Sequence, residues 1–413
     1  MRALLLTTSH SYRNEAFQRA ATRLGIDLIY GTDQRPLPGQ TLPPDQLPLT
    51  YDQPDAAAAA IASFARQRPV DAILAVDDSG VVLAAQAAAR LGLAHNDPQA
   101  TAAARDKFLM RSLMAAAGVP CPWFRHFSSA DNLAALAAEL DYPCVVKPLH
   151  LNASRGVIRA DDPAQFVTAA RRTARIAAAD NPDATEQLLL VEGFLPGREV
   201  ALEGMLDDGK LTVLALFDKP DPLDGPYFEE TIYVTPSRLP ATVQQEIAAC
   251  AEDAARAIGL TRGPVHAELR VQGAQPWMLE VAGRSIGGLC SQTLRFDLDR
   301  SLEELILRQA CGLPWQATSS PPASGVMMIP IPKAGILRAI YGADEARATP
   351  GIEQVEITAS LHHELLPLPD GDSYLGFIFA RGQTPEEVEA ALRIAHAALH
   401  FEIVPSLALT PAG

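Results

Sequence analysis

The stretch that most constrains this chain runs from Gly263 to Gly288, GPVHAELRVQGAQPWMLEVAGRSIGG. Two runs, Val265–Val271 and Trp277–Ala282, read as strands around a five-residue turn, Gln272–Pro276. Side chains alternate faces along a strand, so His266, Glu268 and Arg270 share one face. In a hairpin symmetric about Ala274, Glu268 stands opposite Glu280. Opposed residues hold their Cβ atoms about 4.5–5.5 Å apart, and like charges there are destabilising. Two carboxylates so placed ask for a cation between them. Hard ions such as Mg²⁺ take oxygen ligands, commonly one or two carboxylates plus substrate phosphates. The competing reading is a solvent-facing pair splayed apart in water.

With 413 residues the chain is too long for one ordinary core, so two to four domains are expected. An apolar content of 48% with 20% charged residues describes a globular protein. The net charge of −15 argues against nucleic-acid or anionic-membrane partners, which call for a basic surface. It leaves room for a phosphate ligand, for which a few placed Lys and Arg residues suffice. The 5 cysteines are widely spaced and form no C-x-x-C pair, which points to inert thiols in a reducing compartment. Cys290, just past the hairpin, is a candidate to line a site. The opening MRALLLTT has too short an apolar run for a signal peptide, and no run approaches the ~20 residues of a membrane span. A cytoplasmic protein is expected.

Residues 1–98 alternate strand and helix: strands at Ala3–Thr8, Asp27–Gly31 and Asp71–Val76, helices at Asn14–Leu24, Asp55–Arg66 and Val81–Arg90, and a Pro-rich loop from Pro36 to Pro54. That order implies a small parallel sheet covered by helices. Its first turn lacks Gly-x-Gly-x-x-Gly, so a dinucleotide fold is not supported. Asp77-Asp78-Ser79 follows a strand end, where open α/β sheets place ligands, and a helix N-cap explains Asp78 or Ser79 equally well. Residues 99–192 comprise a helix, Asp97–Ala117, bearing Lys107, and a compact lid-sized unit. Residues 193–316 carry a hairpin around Asp208-Gly209, a loop KPDPLDGPYFEET, and a helix Ala241–Ile258 with an apolar stripe at Val243, Ile247, Cys250, Ala254 and Ile258. Ala317–Ala323 reads as a linker, and residues 317–413 as a small α+β domain.

Several residues carry chemistry. Lys147 lies in CVVKP between apolar neighbours, and an inward lysine is costly unless an anion meets it. The polar loop Leu149–Gly156 behind it has the size to fold over phosphates. Glu192 closes one strand and Glu199 opens the next across a Pro-Gly turn, a hinge with a carboxylate on each side. His266 shares the face of Glu268; it is a candidate for orienting substrate or moving a proton, or equally a structural histidine bonded within the sheet.

Taken together, Lys107 in a helix ending AAGVP, CVVKP with its polar loop, VEGFLPGREV, and HAEL…LEVAGR resemble the ATP-grasp superfamily in order and spacing, over about residues 100–300. The details GPYFEETIYVTPS, EVAGRSIGGLC and YLGFIFARGQTPEEVEAAL look most like the L-amino acid ligases, which join an amino acid carboxylate to another amine. The resemblance implies a multidomain α/β and α+β architecture: an ATP-grasp fold with an N-terminal parallel α/β domain, a central lid and core, and a small C-terminal α+β domain.

It also implies roles. Lys107 and Lys147 contact ATP phosphates under the loop holding Ser154. Glu192, Phe194 and Leu195 hold adenine, and Glu199 holds the ribose. Glu268 and Glu280 ligate Mg²⁺, with Mn²⁺ as an alternative. Arg284 steadies an acyl phosphate and the oxyanion that follows. Glu229 and Glu230 are candidates to meet a substrate ammonium, and Gly287 and Gly288 leave room for a bulky substrate. Two departures stand out: Ala282 occupies a position where the superfamily often has a further Asn ligand, and the lid loop is poor in glycine. The function so implied is an ADP-forming carboxylate–amine ligase acting on small molecules, with homodimers usual among relatives. The alternatives are another ATP-grasp C–N or carboxylation-type ligase, or a non-catalytic nucleotide-binding module. No biotin-carrier M-K-M turn is present to support a self-contained biotin carboxylase.

Overall fold

A computed structural model describes residues 1–8, 11, 13–34, 43–316 and 322–406. The chain opens with β1 (Arg2–Thr7), α1 (Asn14–Leu24), β2 (Asp27–Thr32), β3 (Gln46–Pro48), α2 (Pro54–Gln67), β4 (Ala72–Ala75) and α3 (Asp78–Leu91). The strands form a parallel sheet in the order β3-β2-β1-β4. Alternation along β1 explains the layering: Leu4 and Leu6 pack towards Ile61 of α2, while Ala3 and Leu5 pack in the cluster holding Phe17 and Ala21 of α1. β3 lies inside the expected Pro-rich loop, where three residues pair with β2. Part of that loop (residues 35–42), part of the first turn (residues 9, 10 and 12) and most of the expected linker (residues 317–321) lie outside the described residues.

The single helix expected over Asp97–Ala117 is two, α4 (Pro98–Ala103) and α5 (Lys107–Ala116). Asp106 accepts from the amides of Phe108 and Leu109, both at 2.9 Å, and this cap starts a new helix. Lys107 therefore sits at a helix start rather than on a solvated flank. Next come β5 (Phe124–Ser128), α6 (Leu133–Ala137), β6 (Cys144–Pro148), β7 (Ile158–Ala160), α7 (Pro163–Asp180) and β8 (Leu188–Gly193), with an antiparallel sheet ordered β5-β8-β6-β7. β5 was not expected, because only Phe127 of FRHFS is buried and the strand carries no inward alternation.

The remainder comprises β9 (Arg198–Asp207), β10 (Lys210–Asp218), β11 (Ile232–Thr235), α8 (Ala241–Ile258), β12 (Gly263–Gln272), β13 (Gln275–Ala282), α9 (Leu302–Ala310), β14 (Ala323–Ile329), β15 (Gly335–Tyr341), α10 (Ala343–Arg347), β16 (Ile352–Ile357), β17 (Glu364–Leu365), β18 (Gly376–Gly382), α11 (Pro385–Ala398) and β19 (His400–Val404). One eight-stranded sheet runs β13-β12-β9-β10-β11-β14-β18-β16. Much of the C-terminal region thus extends the central sheet, joined where Tyr233 of β11 pairs with Val326 of β14; β17-β15-β19 form a separate sheet. The α8 stripe is buried as expected, packing with Val265, Ala267, Leu269, Met278 and Val281 of β12 and β13. Burying such side chains stabilises by about 1.5–3 kcal/mol each. With its back face so covered, the hairpin turns its polar face to the other side. Among the described residues no helix is long and apolar enough to cross a membrane.

Candidate functional site

The hairpin turn is shorter than expected: Gln272 pairs with Gln275, leaving Gly273-Ala274 as a two-residue turn. That turn pairs Arg270 with Trp277 and Leu269 with Met278, one residue out of step with a hairpin symmetric about Ala274. A bulge at Leu279 then adds a residue to β13, and beyond it Glu268 stands opposite Glu280. Arg111 of α5 braces the bulge, donating to the carbonyls of Met278 at 2.9 Å and Leu279 at 2.8 Å. The same guanidinium donates to Glu192 Oε2 at 2.7 Å. Glu192 also meets Lys147 Nζ at 2.5 Å. Burial alone raises a carboxyl pKa, but Arg111 and then Lys147 overcome it and hold Glu192 below its ordinary value.

Above the hairpin lies a cavity of about 610 Å³ whose lining includes Lys107, Lys147, Ser154, Glu268, Glu280 and Arg284. Lys107 Nζ donates to Leu151 O at 2.9 Å and lies 3.4 Å from Glu280 Oε2. The helix start that carries this lysine and the loop behind β6 therefore meet over the metal-candidate carboxylates. In that loop Ala153 and Ser154 both adopt left-handed backbone, φ 53° and 56°.

At one end of the cavity Phe194 and Leu195 follow β8. The Arg159 guanidinium stacks 4.1 Å from the Phe194 ring centre, with Phe228 at 6.4 Å. Glu199 and Arg270 pair across β9 and β12, Nε to Oε2 at 2.9 Å, and Arg270 also donates to Leu195 O at 2.8 Å. The hinge expected to cradle a base is thus tied to the floor of the site.

Deeper in, Lys219 lies 2.9 Å from Glu199, contacts Glu230, and lies 3.3 Å from Glu268. Burial would discharge an isolated ammonium, but Glu199, Glu230 and Glu268 keep this one protonated. Burial also lifts the Glu230 pKa to about 7 against the pull of Lys219, whereas Glu268 is held well below its ordinary value despite burial, by Lys219 and then His266. His266 is wedged between two carboxylates, Nδ1 2.5 Å from Glu203 and Nε2 3.3 Å from Glu268. Burial opposes its protonation, but Glu203 and then Glu268 push its pKa up to about 9.

The far wall comes from the N-terminal sheet and the segment after β13. Arg284 Nε donates to Asp78 Oδ2 at 2.7 Å. Asp77, not Asp78, is the N-cap residue of α3, so the capping reading of Asp78 gives way to this ion pair. Arg13 donates to Ser285 Oγ at 2.7 Å and Ile286 O at 3.1 Å, and pairs with buried Glu303 at 2.9 Å. This pins the loop that leads to Gly287 and Gly288. Gly288 takes φ 57°, and a Cβ there would come 3.2 Å from the Phe377 ring. Cys290 is buried on the cavity wall, and burial raises its thiol pKa. Glu230 lines the cavity; Glu229 does not, being half-buried against the Ile331 amide. Sequence adjacency suggested a shared role, which the two side chains do not have in the fold.

The residues present fit a divalent cation. Glu268 and Glu280 offer hard oxygen donors on one face of the hairpin, and both remain partly open to the cavity, at 24% and 30% side-chain exposure. A second carboxylate group, Glu199, Glu230 and Glu268, has ligand atoms within 4.8 Å of one another. Lys219 already supplies a cation to all three, so the Glu268–Glu280 pair is the better metal site. Ala282 pairs with His266 and offers no side-chain ligand, leaving any further ligands to water or phosphate.

Sequence reasoning missed Arg13, Arg111, Glu203 and Lys219. Only Glu203 left a signal: four residues beyond Glu199 on β9, it shares that face and interrupts the apolar run VALEGML.

Comparisons with known proteins agree with this layout. The family described as ATP-grasp domain matches residues 140–293, ATP-grasp N-terminal domain residues 17–95, and L-amino acid ligase C-terminal domain 2 residues 327–404. A D-alanine–D-alanine ligase of Aromatoleum aromaticum is 32% identical over 186 residues, 44% of this chain and 57% of that protein. An alanine–anticapsin ligase of Bacillus subtilis is 27% identical over 267 residues, 61% of this chain and 56% of that protein. The chain thus spans little more than half the length of these curated relatives. A crystal structure of an L-amino acid ligase from Bacillus licheniformis superposes with a TM-score of 0.78 at 25% identity, covering 98% of this chain and 99% of that one. N5-carboxyaminoimidazole ribonucleotide synthetase from Thermotoga maritima shares the fold at 15% identity, TM-score 0.69, covering 98% of this chain and 100% of that one.

Proposed function

This chain belongs to the ATP-grasp superfamily, and from that premise we propose that it is an ADP-forming ligase joining the carboxylate of one amino acid to the amine of another. The observation that carries the reading is the Glu268–Glu280 juxtaposition beneath Lys107 and Lys147. Two lysines and two carboxylates around one cavity suit the phosphate tail of a magnesium-bound nucleotide. Phosphoryl transfer calls for positioning and charge neutralisation more than covalent help. Glu268 and Glu280 would hold Mg²⁺, which would supply neutralisation of the phosphate charge.

The residues divide the work. Lys107 and Lys147 contact the phosphates, with the Ser154 loop above them. The backbone of Glu192–Leu195 and the Phe194 ring hold the base, and Glu199 accepts from the ribose. The substrate carboxylate attacks the γ-phosphoryl group, giving an acyl phosphate and ADP. The incoming amine then attacks the acyl carbon, and phosphate departs from a tetrahedral intermediate. Arg284, held by Asp78, stabilises the acyl phosphate and the developing oxyanion. Glu230 meets a substrate ammonium, and Glu229, turned away from the cavity, is left out of that role. His266, protonated between Glu203 and Glu268, orients the metal-binding carboxylate rather than acting as a free base. Gly287 and Gly288 border an apolar end with Met328, Tyr374 and Phe377, which favours a substrate with a bulky apolar side chain.

The test is phosphate release from MgATP across pairs of L-amino acids. Stimulation by at least one pair, with a peptide product, is expected; no stimulation by any pair would sink the dipeptide ligase reading.

A further inference from the structure

We propose that the segment 369–372 is a latch that holds the loop Leu149–Gly156 over the cavity, with Asp370 as its positioning residue. The nucleotide role of this latch rests on the ATP reading above; the latch itself rests on contacts.

Three strands of contact converge. The Gly156 amide donates to Pro369 O at 2.8 Å. Arg155 Nε donates to Asp370 O at 3.1 Å, while its Nη1 pairs with Asp180 of α7 at 2.8 Å. Arg172, also on α7, pairs with Asp370 Oδ2 at 2.5 Å and donates to Tyr227 Oη at 2.7 Å. Thr173 on the same helix donates to Gly156 O at 2.8 Å. The loop is therefore held from one side by α7 and from the other by a segment more than 200 residues downstream, as the 215-residue separation of Arg155 from Asp370 records.

The latch segment is built to be rigid. The amides of Asp370 and Gly371 both donate to Pro367 O, at 3.2 and 3.0 Å. A Cβ at Gly371 would come 1.9 Å from Leu366 O, so only glycine lets the turn close this tightly. The loop it grips has a single glycine, at its far end, and two non-glycine residues in left-handed backbone. Such a conformation persists when its surroundings over-determine it, and here α7, Lys107 and the latch are those surroundings. Asp372 reaches the cavity wall, and Tyr374, two residues on, lines the cavity as well. One segment thus touches both the phosphate-covering loop and the wall of the substrate end.

Each arm is modest, because Arg172 and Asp370 are part-exposed at 32% and 41% of their side chains. A pair of this kind shifts an equilibrium by a factor of roughly two to five. A nucleotide that binds only the covered state loses apparent affinity in proportion to the covered fraction. The experiment compares wild type with Asp370→Ala, Asp370→Glu and Arg172→Ala in the full chain. Hydrogen exchange of the 149–157 amides is followed without nucleotide, and MgADP affinity by calorimetry.

In the Ala variants we expect loop exchange to speed up by about two- to fivefold, and the MgADP Kd to rise by at most that factor, in proportion to the covered fraction lost. Thermal midpoints and exchange in β12 and β13 should stay unchanged, and Asp370→Glu should recover part of the effect. The latch is overturned if loop exchange in both Ala variants stays at the wild-type rate. It is equally overturned if protection falls across the whole β6–β8 sheet, which marks a merely structural role. If wild type binds no MgADP while loop exchange still responds, the ATP reading fails and the latch survives.

Discussion

Arg284 and Asp78 stand 206 positions apart in the sequence and meet at 2.7 Å, so the N-terminal sheet aims the guanidinium assigned to the acyl-transfer step. Arg284→Ala should lower kcat by about 10²–10³ if the side chain stabilises an oxyanion. Asp78→Asn, which leaves Arg284 charged but unaimed, should lower kcat by a smaller factor and leave MgADP affinity unchanged. Steady-state kinetics beside calorimetric titration separate these effects; weakened nucleotide binding in Asp78→Asn would refute the aiming role.

Removing one charge from the carboxylate pair tests the metal assignment. Glu280→Gln keeps shape and hydrogen-bonding capacity but halves the anionic charge opposite Lys107. Turnover should vanish and Mg²⁺-dependent nucleotide binding should weaken. Full activity would dismiss Glu280 as a ligand.

The brace behind the hairpin makes a stability prediction. Arg111→Leu strips Glu192 of one of its two cationic partners and frees the Met278 and Leu279 carbonyls inside the protein. Breaking a buried pair from one side costs about 3–5 kcal/mol, and with Lys147 still in place the lower end is expected. Denaturant unfolding checks it; a loss under about 1 kcal/mol, the worth of an exposed pair, would show that Arg111 carries little.

Glu303 gives a pH dependence. Burial alone would raise its pKa, but Arg13 and then Ser291 hold it below the ordinary value. A carboxyl with a depressed folded-state pKa contributes stability above its unfolded value, near 4.3, and that contribution is lost as pH falls through the folded value. Glu303→Gln should therefore flatten the acid limb of the stability curve below about pH 4.3. Stability followed by thermal unfolding between neutral and acidic buffers gives the slope; an unchanged limb would assign it to other carboxylates.

The ATP-grasp architecture was legible because its motifs are local: CVVKP, VEGFLPGREV and LEVAGR each lie within one strand–turn unit. The Glu268–Glu280 pairing was legible too, though through two offsetting errors. A five-residue symmetric turn was expected; a two-residue turn and a bulge give the same opposition. What stayed hidden was single charges whose partners are remote. Arg111 lies 81 residues from Glu192, and Arg13 lies 290 from Glu303. Each reads locally as a polar residue in a helix or turn, and only the fold reveals its partner. Lys219 opens a Pro-rich loop that no periodicity governs. Glu229 and Glu230 could not be separated, since adjacency says nothing about which one turns inward.

The bulge at Leu279 constrains how this hairpin can change in length. Leu279 is the extra residue of the ladder, so deleting it would leave Met278 opposite Leu269 and Glu280 opposite Glu268, with the bulge gone. The two carboxylates would still share the cavity face in such a chain. A one-residue insertion between Pro276 and Trp277, on the turn side of the bulge, would by contrast set Glu280 opposite Ala267 and carry it onto the buried face. In this hairpin a residue can therefore be lost at the bulge without moving the carboxylates, whereas an odd change of length between the turn and Met278 is expected to abolish metal binding while leaving a folded sheet.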